Sequence, residues 1–265
     1  MTRFPDSEYL NIAILCFSGT GNTEYIGRYL KSQFEASGKN CEIIPLEELT
    51  LKKRTLDVHA YDLIGLGYPI HAFEAPRIVF DFVSSLCRSE ARYFLFSTVG
   101  NYLGICGSSY NLRLALATKG WRMVHEAVYS MPANMMFKLS PKALQHRLNR
   151  SLRKAEQSVK QICKREFHQL PDNPVKRFMT RLNSLENQGL PQMSSCWIAG
   201  TSCIKCGLCA EQCPERNITL KDDQVIFGDK CVFCLRCWWN CPQRALSNKY
   251  ADFFMLKEKY SLPPL

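Results

Sequence analysis

Cysteine falls at every third position in two separate runs of this chain, and that spacing limits the fold more than any other feature. Cys203, Cys206 and Cys209 are followed by Cys213-Pro214, and Cys231, Cys234 and Cys237 are followed in the same way by Cys241-Pro242. Every landmark recurs 28 positions later, including Arg216 with Arg244 and Ile218 with Leu246, so the segment is an internal duplication. A thiolate at each third residue lets a tight loop wrap three sulfurs around one corner of an iron–sulfur cubane, while the cysteine before proline supplies a fourth from elsewhere. A pair of four-cysteine zinc sites would use the CxxC pairs but has no need of the third step. Disulfides fit less well, since the sequence shows no secretory signal.

The stretch from Cys196 to Ser247 resembles the bacterial two-cluster ferredoxins, in which the fourth cysteine of each run serves the other cluster. The resemblance implies that Cys203, Cys206, Cys209 and Cys241 hold one [4Fe-4S] cluster. Cys231, Cys234, Cys237 and Cys213 then hold its twin, and the crossing ties both halves into one unit.

This unit uses about a fifth of the 265 residues, so a larger domain precedes it. Hydrophobic residues at 46% and charged residues at 22% are ordinary for a soluble globular protein, and no apolar run approaches the roughly 18 residues of a membrane span. The expectation is a cytoplasmic protein. Cys16, Cys41, Cys87, Cys106, Cys163 and Cys196 lie outside the two runs without pairing spacing and read as small buried hydrophobes in a reducing compartment.

Near the N-terminus, the apolar run Asn11 to Phe17 feeds directly into Ser18-Gly19-Thr20-Gly21-Asn22-Thr23. A buried strand entering a Gly- and hydroxyl-rich turn, followed by a helix with Tyr25, Ile26, Tyr29, Leu30 and Phe34 on one face, is the first unit of a parallel α/β sheet. The helix start and the hydroxyls of Ser18, Thr20 and Thr23 can surround a phosphate. No lysine follows, which excludes a Walker A loop, and Glu24 stands where the dinucleotide fingerprint needs its third glycine. A neutral, hydroxyl-lined nest suits a terminal monophosphate.

This turn resembles the phosphate loop of the flavodoxins, and the likeness extends over residues 10 to 134. It implies FMN at the carboxyl edge of the sheet, where the loops after strands one, three and four converge. After the third strand, Leu63 to Gly67, come the cofactor-binding candidates Tyr68, Pro69, His71 and Phe73, of which Tyr68, His71 and Phe73 are the aromatic ones to flank the isoalloxazine. After the fourth, Tyr93 to Ser97, Thr98, Val99, Gly100, Tyr102 and Gly104 can offer backbone to the pyrimidine edge. The acidic residues usual in flavodoxin flavin loops are sparse here.

Residues 141 to 182 contain eleven Lys or Arg against three Asp or Glu. Ser140-Pro141 predicts a helix start, and Leu144, Leu148, Leu152, Ala155, Val159 and Ile162 form one apolar seam, so the helix packs back on the protein with a basic outer face. That face is the candidate docking surface for an acidic redox partner protein. Nucleic acid is a poor candidate because no recognition motif accompanies the charge. A second helix is expected over Val175 to Asn187 and a short one over Lys249 to Tyr260.

The expected architecture is an α/β flavodoxin-like doubly wound parallel sheet over 1–138, a basic helical linker over 139–195, a small α+β two-cluster ferredoxin domain over 196–250, and a tail over 251–265. The arrangement resembles a family of flavodoxin–ferredoxin fusion proteins of anaerobes. Membership implies electron transfer through two [4Fe-4S] clusters and FMN to a redox partner. The alternative is an FMN-dependent reductase of a small molecule such as a quinone, an enone or a corrinoid, with His71 or Tyr102 as proton donor.

Overall fold

A computed structural model describes residues 9–71, 73–100, 109–136, 138–172, 174, 178, 193–256 and 259–265. Five strands, β1 (Asn11–Cys16), β2 (Asn40–Pro45), β3 (Leu63–Pro69), β4 (Arg92–Val99) and β5 (Arg122–Ser130), form one sheet in the order β2-β1-β3-β4-β5. All four pairings are parallel. This is the flavodoxin-like order, whose switch point lies between β1 and β3.

Strand alternation divides the core in two. Ile12, Ile14 and Cys16 face one side with Phe94 and Phe96, while Ala13, Leu15 and Phe17 face the other with Tyr93 and Leu95. Helices α1 (Asn22–Ala36) and α5 (Pro141–Cys163) cover the first face; α3 (Arg77–Ser85) and α4 (Tyr110–Thr118) cover the second, with the short α2 (Leu46–Thr50) beside α3. Burial on both faces explains why the strands read as continuous apolar runs.

Helix α5 is the basic segment. The Ser140 hydroxyl accepts from Ala143 N at 3.3 Å, and Pro141 occupies the first turn. Leu148, Ala155, Val159 and Ile162 are buried in the core that contains β1, so over these residues the chain is a layer of the sheet domain. Two basic side chains turn inward. Arg147 donates to Gly100 O at 2.8 Å and Met131 O at 3.1 Å, and Lys154 donates to Val128 O at 2.9 Å. The expected helix over Val175 to Asn187 lies outside the described residues but for Phe178.

The cysteine-rich unit is held by two small antiparallel pairs, Trp197–Ala199 with Leu246–Asn248 and Ile218–Lys221 with Gln224–Phe227. Its duplication is visible in the backbone. Left-handed conformations recur 28 residues apart at Lys205 and Phe233, Gly207 and Leu235, and Arg216 and Arg244. The helix expected over Lys249 to Tyr260 is instead a run of turns. Asn248 O receives the N–H groups of Ala251 and Asp252, and the turn then stops because Met255 pairs antiparallel with Met135. Cys16 and Cys41 are buried as expected, but Cys87 and Cys163 are exposed and Cys196 is half-buried. No helix among the described residues is long and apolar enough to cross a membrane.

Candidate functional site

Parallel strands deliver their following loops to one edge, and here those loops wall a cavity of about 530 Å³. Ser18, Gly19, Thr20, Asn22 and Thr23 come from the first loop, Pro69 and His71 from the third, and Thr98, Val99 and Gly100 from the fourth. The Thr23 and Thr98 hydroxyls lie 2.8 Å apart and cross-link two of these loops. Ser18 Oγ is buried without a hydrogen-bond partner among the described residues, an orphan acceptor and donor at the start of the turn. Gly21, in the left-handed conformation at φ 96°, caps α1 and faces a second cavity of about 490 Å³ on the other side of the turn.

Two of the aromatic candidates do not reach the first cavity. Tyr68 is only 3% exposed and packs into the core on the face covered by α3 and α4, beside Glu74, Ser97 and Glu126. Strand alternation points its side chain onto that face of the sheet. Phe73 is held at φ 72° and is absent from the cavity wall. Tyr102 and Gly104 lie outside the described residues. His71 does line the cavity, where burial pulls its imidazole down to about 4 against the opposing effect of a hydrogen bond to the Val232 backbone. It is therefore neutral at pH 7 and serves as a tie between loops.

Ile70, Ala75 and Pro76 of the loop after β3 complete its share, and much of the remaining wall comes from outside the three loops. Pro132 to Met136 follow β5 and line the cavity; Met135 and Met136 belong to this strip, whereas Met131 is fully buried in the core. Tyr250 enters from the end of the cysteine-rich unit and Ala251 and Phe254 from the tail, anchored by Met136 N donating to Phe254 O at 2.6 Å. Val232, Phe233, Cys234 and Leu235 enter from the second cysteine run. That strip has a signal in the sequence, since β5 ends at the same edge as the other strands and Met131, Met135 and Met136 read as a soft apolar patch there. The tail has none.

The cysteines meet in two sets. Cys203, Cys206, Cys209 and Cys241 line one small cavity; Cys213, Cys231, Cys234 and Cys237 line another. Backbone N–H groups point at sulfur in duplicate fashion, Asn217 N to Cys213 Sγ at 3.2 Å and Ala245 N to Cys241 Sγ at 3.3 Å. Burial pushes the Cys234 thiol up to about 12 and raises Cys231 and Cys237 as well. Such thiols shed their protons when a cation binds. Among the described residues no three His, Cys, Asp or Glu side chains close on the position of a single metal ion.

The two regions touch through backbone. A Cβ placed on Gly19 would sit 2.1 Å from the carbonyl oxygen of Cys234, so only glycine permits this approach. Arg236, two residues further on, donates to Ser18 O at 2.6 Å, pairs with Glu47, and stands over the Phe17 ring. Arg77 donates to Lys230 O at 2.9 Å on the other flank.

No family model matches the sequence, and no curated protein matches it. Among solved structures, the two-electron reduced flavodoxin of Megasphaera elsdenii is 21% identical, covering 56% of this chain and 97% of its own, with a TM-score of 0.38. A flavodoxin from Streptococcus pneumoniae TIGR4 is 15% identical over 57% and 97% at 0.39, and a flavone reductase is 13% identical over 57% and 62% at 0.43. The sheet order, rather than these scores, identifies the fold.

Proposed function

We propose that the chain is an electron-transfer iron–sulfur flavoprotein, with FMN in the 530 Å³ cavity and a [4Fe-4S] cluster within each cysteine set. One observation carries this reading: Val232, Cys234 and Leu235 wall both the second cysteine cavity and the large cavity, so a single loop separates the two cofactor sites. The donor chemistry fits. Eight thiols in two crossed sets, each with backbone N–H groups aimed at sulfur, suit clusters better than isolated zinc ions. The neutral hydroxyl turn with the orphan Ser18 Oγ suits a phosphate monoester.

When bound, the clusters supply one-electron steps and the flavin one- or two-electron steps. The chain's own contribution is to fix their separation. Gly19 lets the phosphate turn lie against Cys234, Arg236 and Arg77 clamp that contact from two sides, and His71 ties the third loop to Val232. The Cys203 and Cys213 sets would hold the two clusters and the large cavity the flavin, and the partner would be an acidic redox protein in the cytoplasm. A small-molecule reductase is the second reading, favoured by the apolar wall of Met135, Met136, Met193 and Phe254.

Anaerobic reconstitution tests the assignment. About eight iron and eight sulfide should bind per chain, with one FMN. With limiting reductant, cluster absorbance should bleach and recover as flavin absorbance falls. Bound zinc without sulfide, or a protein that takes up no flavin, would sink the proposal. Turnover of a quinone, enone or corrinoid without a protein acceptor would shift it to the second reading.

A further inference from the structure

The cavity of about 490 Å³ on the other side of the Gly- and hydroxyl-rich turn is nearly as large as the one assigned to flavin, and the flavin reading leaves it without a role. Its described wall takes no residue from the loops after β3, β4 and β5. It is built instead at the carboxyl edge of β1 and β2, by Cys16 and Pro45, and closed by Arg236, Trp239 and Asn240 of the cysteine-rich unit. Its charges balance. Arg28 and Glu24 pair at 2.6 Å, both well exposed, while Arg236 and Glu47 pair where both side chains are largely buried. Arg236 holds only Oε1 of Glu47. Oε2 is buried with no hydrogen-bond partner among the described residues, and so is Ser18 Oγ, which borders the same cavity.

We infer that this cavity binds a nucleoside, its ribose hydroxyls donating to the Glu47 carboxylate and its base lying against Trp239. A buried carboxylate oxygen without a donor costs free energy that a ligand donor recovers. Torsion about the last bond of a glutamate side chain is soft, so the carboxylate can turn that oxygen to the cavity. Two cations already balance the two carboxylates of the wall, which favours a neutral donor over an ammonium, and a vicinal diol is such a donor. Half-buried Trp239 supplies an aromatic surface, and beside it Asn240 Nδ2 donates to Gln212 Oε1 at 2.6 Å, an amide pair with groups left over for a base edge. The position agrees, because an acidic residue after the strand beside the phosphate turn is where doubly wound sheets hold ribose hydroxyls, and Glu47 follows β2, which pairs with β1. Ser18, Gly19 and Thr20 border both cavities, so the nucleoside is either a free molecule or the adenosine half of a flavin dinucleotide. The inference goes beyond the FMN reading and stands without it.

Calorimetric titration of FMN-loaded protein with adenosine and with 2′,3′-dideoxyadenosine reads the diol without altering the chain. Adenosine should bind about tenfold tighter or more, as expected for hydrogen bonds to a charged group, and should leave the flavin in place. Glu47→Gln keeps an acceptor for Arg236 and should bring the two ligands to equal affinity. In flavin-free protein, FAD binding about tenfold tighter than FMN, with the preference lost in Glu47→Gln, would identify the cofactor's own adenosine as the occupant; FAD equal to FMN beside tight adenosine binding would identify a separate nucleoside. Equal affinity of the wild type for adenosine and its dideoxy analogue, displacement of FMN by adenosine, or no adenosine binding together with equal FAD and FMN would each overturn the inference. A wild-type chain that takes up no flavin would overturn the FMN reading instead, and the two adenosines would still decide this one.

Discussion

Replacing Gly19 with alanine tests the junction between the two halves of the site. The new Cβ would lie 2.1 Å from Cys234 O, 3.0 Å from Cys234 C and 3.2 Å from its Cβ. A carbon–oxygen contact settles near about 3.3 Å, so the two backbones must separate by roughly 1.2 Å. Neither partner is the free end of a flexible side chain. Ser18 O is held by Arg236, Phe17 N donates to Gly67 O at 2.9 Å, and Cys234 sits between two cysteines of one set. Overpacking of this kind costs about 1–3 kcal/mol, or roughly 2–10 °C in the midpoint of a unit this size. The proposed assignment adds a kinetic consequence: iron and flavin contents stay near wild type, while stopped-flow transfer from pre-reduced clusters to flavin slows. Gly21→Ala is the control, because a side chain at φ 96° is strained there although nothing lies within 4 Å of its Cβ position. It should lose stability to backbone strain, about 1 kcal/mol, without slowing transfer. Equal transfer rates and equal midpoints in the Gly19 variant and wild type would refute the close approach.

Arg236 and Glu47 form a largely buried pair, 16% and 18% exposed at the side chains, so Arg236→Met should cost about 2–3 kcal/mol by stranding the carboxylate. Adding Glu47→Gln should recover much of that loss in chemical denaturation; a double variant no more stable than the single one would show that the pair is not the source. Cys213→Ala should degrade the cluster shared with Cys231, Cys234 and Cys237 and spare the other, as read by electron paramagnetic resonance and an iron count reduced by half or less. Damage confined to the Cys203 set would reverse the crossing. His125 is 2% exposed with its imidazole pulled down to about 4, first by burial and then by His168 and Lys154. The unfolded chain therefore binds more protons between pH 6.5 and 4, and stability falls as pH drops through that window, by up to about 3 kcal/mol. His125→Leu should flatten the acid limb of a midpoint-against-pH curve, and an unchanged limb would place the titrating group elsewhere.

What could be read from residues alone divides along a physical line. Strands β1, β3 and β4 announce themselves because burial on both faces writes continuous apolar runs, and the Gly- and hydroxyl-rich turn follows β1 without a gap. The duplication follows from a spacing that repeats at 28 residues, the crossed cysteine sets are what the ferredoxin resemblance implies, and the same two sets line two small cavities. Side-chain direction is less secure. Tyr68 follows the apolar run of β3 and reads as a loop aromatic, yet β3 extends to Pro69 and the pleat carries the ring into the core. The tail departs from its sequence pattern too: Phe253, Phe254 and Leu256 suggest a packed helix, while Met255 pairs with Met135 instead.

Contacts across 189 to 218 residues leave no local trace. Nothing near Gly19 signals that Cys234 O will fill the space over its Cα, and Arg236 reads as one more basic residue until Ser18 O and Glu47 are seen beside it. The consequence is thermodynamic. The loop from Cys231 to Cys237 carries three of four sulfurs of one set and also walls the large cavity, so whatever orders that loop orders both sites. Cluster assembly should then tighten FMN binding, and by linkage FMN should stabilise the cluster by the same factor. Flavin affinity measured before and after cluster reconstitution, against a Cys213→Ala background that lacks the cluster, gives that factor directly; equal affinities in all three states would mean that the loop is already rigid without metal and that the two sites share a wall but no free energy.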